Sequence, residues 1–103
     1  MPPTVISADG SYEWEATKDA ANQRAPDHGG VGFAEAASVL DHPQTVDIPE
    51  GGGEGRLKWV GFSRQGRVLT VVFEPRGERD RIISAWPSTP EELRQFSGDT
   101  DGE

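Results

Sequence analysis

The chain has 103 residues, a formal net charge of −8, 33% hydrophobic residues, 13 glycines, 8 prolines and no cysteine. That length supports one domain, and so lean an apolar fraction builds a core only if the termini stay out of it. The lack of cysteine excludes disulfides, thiolate metal sites and thiol catalysis. The lack of any apolar run of about 18–20 residues excludes a membrane helix, and no basic segment followed by an apolar one opens the chain, so a cytoplasmic protein is expected.

Residues 1–10, with two prolines and a late Asp9-Gly10, read as a loose tail ahead of a single domain over 11–97. Tyr12 and Trp14 alternate with Glu13 and Glu15, which predicts a short strand burying both aromatics on one face. Ala16, Ala20 and Ala21 favour a helix over 16–24 that Pro26 stops, and Asp27-His28-Gly29-Gly30 reads as a turn. Phe33, Ala36, Ala37 and Leu40 fall at i, i+3, i+4 and i+7, the apolar stripe of a second helix over 33–41. Thr45 to Ile48 suits a short strand, and the glycine-rich 49–55 a flexible loop.

The β signal is strongest after that. Residues 56–62 and 67–73 are strands joined by a hairpin turn at Ser63-Arg64-Gln65-Gly66, 74–80 is a charged connection, and 81–85 is a further strand. Thr89-Pro90-Glu91-Glu92 is a capping box with proline at the first helical position, so a last helix follows. Residues 98–103 read as an acidic disordered tail. The expected fold class is α+β, a small antiparallel meander with helices packed on one face.

Charge is unevenly placed. Residues 56–81 hold seven of the ten cations, Arg56, Lys58, Arg64, Arg67, Arg76, Arg79 and Arg81, against Glu74, Glu78 and Asp80, so this stretch carries +4 and the rest −12. Guanidinium forks bind phosphate oxygens in pairs and stay charged at any working pH, so this meander is able to hold an RNA backbone. The competing use of the same arginines is ion pairing to the acidic helices. The two histidines, His28 and His42, lie in different turns, which makes a poor metal site and leaves no cofactor expected. No nucleophile elbow and no glycine-rich phosphate loop ahead of a helix is present.

These motifs resemble the BrnT family. Tyr12-Glu13-Trp14-Glu15 with Lys18 and Asn22 is similar to that family's opening, and His28-Gly29 with Val31, Phe33, Glu35-Ala36 and Val39 is similar to its His-Gly-Val block. Arg56, Gly61, Ser63 and Gly66-Arg67-Val68-Leu69 resemble its central hairpin, Arg81-Ile82-Ile83-Ser84-Ala85 its Arg-Ile-Ile-Ser-Ala run, and Glu92 and Phe96 its last helix. The resemblance implies a RelE-like fold and a type II toxin, a metal-independent ribonuclease that inhibits translation. It also implies a BrnA-like antitoxin partner, RNA as substrate, and DNA contact only through the antitoxin. It nominates His28, Arg56 and Arg81 for catalysis. Lys18, Lys58, Arg76, Arg79 and Trp86 are the candidates for RNA binding. Two positions depart from the pattern: Asp27 stands where the family has lysine, and Trp86 where it has arginine. A second reading is therefore a weakened or inactive member of the fold that binds protein or RNA without cleaving.

Overall fold

Thr4, Val5 and Ile6, expected in a loose tail, form a strand. In this computed structural model, which describes residues 3–48 and 55–97, β1 (Thr4–Ile6) lies antiparallel to β2 (Tyr12–Glu15), with Val5 opposite Trp14. Three β-branched residues suit that edge, Val5 packs on the core, and Asp9 closes the turn by accepting from the Ser7 hydroxyl and the Ser11 amide. The chain continues through α1 (Ala16–Arg24), a 3₁₀ turn at Pro26–His28, α2 (Phe33–Leu40), β3 (Val46–Asp47), β4 (Leu57–Phe62), β5 (Val68–Arg76), β6 (Arg79–Pro87) and α3 (Pro90–Ser97).

The α+β class holds, and the sheet is larger than a meander. Among the described residues it has six strands in the order β1-β2-β6-β5-β4-β3, and it is mixed rather than antiparallel throughout, because β2 runs parallel to β6 through Tyr12↔Asp80 and Glu13↔Arg81. A parallel neighbour needs a long crossover, and everything from α1 to β5 supplies it. The stretch expected as a charged connection at 74–80 is strand at both ends: the β5–β6 ladder runs out to Arg76↔Arg79 around Gly77-Glu78. Pro75 is tolerated because β4 begins opposite Phe73, so no strand on that side asks for its missing N–H. The loop expected at 49–55 lies, except for Gly55, outside the described residues, as does the tail at 98–103.

The core forms on the α2 side of the sheet. Leu69, Val71 and Phe73, at period two on β5, meet Phe33, Ala36, Ala37 and Val39, with Tyr12 and Trp14 beside them. A bulge lets β6 join in. The register steps from Val72↔Ser84 to Phe73↔Ile82, so Ile83 is the extra residue and both Ile82 and Ala85 reach the core face. The opposite face carries Lys58, Thr70 and Trp86, and α3 packs there, its Glu92 bonded to all three and the Phe96 ring 5.3 Å from that of Phe62. Helices thus cover both faces of the sheet, not one. Among the described residues no helix is long and apolar enough to cross a membrane.

Candidate functional site

His28 is placed by three separate constraints. Pro26 ends the run that began with α1 and opens the single 3₁₀ turn on which His28 sits. Gly29 follows in the left-handed region at φ +60°, and a Cβ there would lie 2.5 Å from Pro87 Cγ, so only glycine lets this turn close on the end of β6. The third constraint is Asn22, buried on α1. Its Nδ2 donates to the carbonyls of Val31 (2.8 Å) and Ala85 (2.9 Å), which fixes the amide so that Oδ1 accepts from His28 Nδ1 at 2.7 Å. With Nδ1 carrying the hydrogen, the neutral ring keeps Nε2 as its lone-pair nitrogen. Asn22 does here what a neighbouring strand does elsewhere, since β2 stops short of this part of β6.

A second group stands against the imidazole. The Trp86 ring lies 5.8 Å from His28 in an edge contact, and the Lys58 ammonium sits 5.9 Å from the Trp86 centroid. The buried carboxylate of Glu92 holds both. Oε1 accepts from Trp86 Nε1 (3.1 Å), the Thr70 hydroxyl (2.8 Å) and the Thr89 amide (2.9 Å), and Oε2 pairs with Lys58 at 3.1 Å. The capping box is therefore formed, and its glutamate also ties α3 to the sheet. Burial pushes the Glu92 carboxyl up, but the Thr89 amide, Thr70, Lys58 and Trp86 together outweigh it and hold it below its ordinary value.

Arg67 and Glu35 close the other side, and the sequence reading did not nominate them. Arg67 donates from Nη1 to the Gly29 carbonyl at 2.9 Å and grips Glu35 with two parallel bonds, Nε to Oε2 at 3.0 Å and Nη2 to Oε1 at 2.7 Å. The Ser63 hydroxyl donates to the same carboxylate at 2.7 Å. Arg67, first, and Ser63 hold the Glu35 carboxyl below its usual range against the opposing effect of burial. Both residues lay in the motifs quoted for the resemblance, beside His28-Gly29 and after Gly66.

The nominated residues do not converge on one point. His28, Trp86 and Lys58 are together. Arg81 and Arg56 sit nearer the far end of the same strands: Arg81 pairs with Glu74 in the ladder and Trp86 with Thr70, four β5 residues apart, or about 13 Å at the usual strand rise. Arg81 is mostly buried and held by Glu13, with Glu15 at 3.3 Å, so it clamps β2 to β6. Arg56 pairs with Glu74 at 3.6 Å, and Arg76 with the same carboxylate at 2.8 Å. Arg79 lies across from Arg76 and its buried Nε has no partner among the described residues. Lys18 is exposed on α1, and Asp27 is exposed in the 3₁₀ turn.

A groove of about 430 Å³ lies elsewhere, between β1 and α2, lined by Val5, Ile6, Trp14, Ala34, Ala37 and Arg64 among others. Among the described residues no group of three His, Asp or Glu side chains is placed to hold a metal ion.

An imidazole held by Asn22, an indole and a lysine thus lie together at one end of an α+β sheet. A family model described as the ribonuclease toxin, BrnT, of type II toxin–antitoxin systems matches residues 14–92, most of the chain. The chain belongs to the BrnT family of ribonuclease toxins. No curated protein matches it.

Proposed function

We propose that this toxin cleaves RNA without a metal cofactor, that it thereby inhibits translation, and that a BrnA-like antitoxin neutralises it in the cytoplasm. The observation that carries the reading is the bond from His28 Nδ1 to the fixed amide of Asn22. It presents Nε2 as a proton acceptor without a change of tautomer. In the proposed step the ribose 2′-oxygen forms a bond to the adjacent phosphorus and the bond from phosphorus to the 5′-oxygen breaks. The 2′-hydroxyl proton passes to Nε2, and the leaving 5′-oxygen takes a proton from water. Lys58, beside Trp86, offsets charge developing on the phosphate, and Trp86 offers an indole against which a base stacks.

Expression without an antitoxin is expected to arrest growth and stop protein synthesis, and co-expression of the partner gene restores both. Normal growth at confirmed soluble expression contradicts the toxin reading. The second reading, binding without cleavage, is favoured by one feature: Trp86 and Lys58 are tied down by Glu92, and Trp86 fills the position where the family has a cation. RNA bound at micromolar concentrations with no cleavage products selects it.

A further inference from the structure

The sheet face that carries Trp86 and Lys58 carries further cations at every second residue. Alternation puts Lys58 level with Val72, Arg81 level with Glu74, and Arg79 level with Arg76. Arg56 joins the middle rung through its pair with Glu74. The rungs are thus two strand residues apart, about 7 Å, which matches the spacing of successive phosphates in an extended single strand. Strands β4, β5 and β6 contribute side by side, so the cations form a track rather than a point. Helix α3 covers the Phe62 and Lys58 end of this face.

The end of the track near Gly77 is held differently from the Lys58 end. Arg56 and Arg76 share the single carboxylate of Glu74, and their side chains are 43% and 55% exposed. That carboxylate sits between two guanidiniums, where a phosphate would sit, and exposed pairs of this kind are weakly held. A phosphodiester offers two oxygens to the same forks and displaces it at small cost. Arg79, with a buried Nε that finds no partner among the described residues, adds a third guanidinium at this end.

We propose that Arg56, Arg76 and Arg79 form a phosphate-binding subsite for single-stranded RNA, distal to His28, and that Glu74 occupies it in the free protein as an internal phosphate surrogate. The subsite rests on the RNA-cleaving reading and gives it a direction: the strand runs from His28 along β5 to the Gly77 turn. Glu74 acts as a gate that makes short RNA and long RNA unequal ligands.

The test uses the full chain and 2′-O-methyl RNA, which cannot be cleaved by 2′-hydroxyl attack, as a trinucleotide and an octanucleotide, with binding read by fluorescence anisotropy over a salt series. Glu74→Gln is expected to tighten octanucleotide binding about 3- to 10-fold and leave the trinucleotide unchanged. Arg76→Ala and Arg56→Ala each weaken the octanucleotide several-fold and lower the salt slope by about 0.7, the value for one phosphate contact on a single strand. Unchanged octanucleotide affinity in Glu74→Gln and Arg76→Ala overturns the subsite, and so does an equal effect on the trinucleotide. Binding of an octaglutamate peptide as tightly as the octanucleotide also overturns it, because the end of the sheet would then serve an acidic protein segment. Octanucleotide binding that follows the expected pattern, from a protein that cleaves no RNA, keeps the subsite and removes the ribonuclease reading. Cleavage with no variant effect does the reverse.

Discussion

Glu92, on α3, and Glu74, on β5, lie on the same side of the sheet and each pairs with a cation, yet they play opposite parts. Glu92 is 6% exposed and accepts from a backbone amide, a hydroxyl and an indole besides its lysine. Glu74 lies at the open end of β5 and, among the described residues, pairs with two exposed arginines. Burial decides the difference. A carboxylate taken out of water is stable only when its lone pairs are filled, so the Glu92 end is fixed in one arrangement. The Glu74 end is free to exchange its carboxylate for another anion. One end of the face is built to hold geometry, and the other is built to hold charge loosely.

Removing the geometry should cost most. Asn22→Ala strands the carbonyls of Val31 and Ala85 and releases His28, and it should lower unfolding stability by about 4 kcal/mol at one to three per buried unpaired group. Chemical denaturation reads this, and the His28 end of the molecule should lose hydrogen-exchange protection first. Glu92→Ala comes next, at roughly 2–3 kcal/mol from the lost cap and the unpaired Trp86 donor, while the Thr70 hydroxyl keeps Ser88. A Trp86 emission spectrum that shifts to the red would show the indole released toward water.

Acid gives a smaller and graded effect. Glu35 and Glu92 both have folded pKa values below the usual 4.5. Their contribution to stability is therefore complete above that value and is lost as pH falls through the lower, folded values. Glu35→Gln should flatten the acid limb of a stability-against-pH curve, with no change in slope near neutrality. The smallest effect should come from Glu74→Gln. The midpoint of unfolding stays where it was, while RNA binding changes, so stability and binding separate at that position and coincide at Glu92.

Much of this was legible in the residues. The alternation of Tyr12 and Trp14, the stripe from Phe33 to Leu40 and the Thr89–Glu92 box each state a local geometry, and each formed as read. What was missed is non-local. No local signal tells that β2 will lie parallel to β6, because that pairing depends on how everything between them folds. Thr4 to Ile6 became a strand because Trp14 and the edge of β2 were there to receive it. The separation of Arg81 from His28 is not legible in their motifs: strand geometry sets Arg81 level with Glu74, while His28 meets Trp86, level with Thr70. Arg67 was overlooked because its role depends on Glu35 and Gly29, which only α2 and the 3₁₀ turn bring to it.

The central claim is that His28, set by Asn22, removes the proton from the attacking hydroxyl. The direct measurement is the initial rate of cleavage of a long RNA by the purified toxin and by His28→Gln, with both folds checked by circular dichroism. A loss of about 100-fold or more with an intact fold and unchanged affinity for 2′-O-methyl RNA is the predicted result. Equal rates from a folded His28→Gln protein would contradict it.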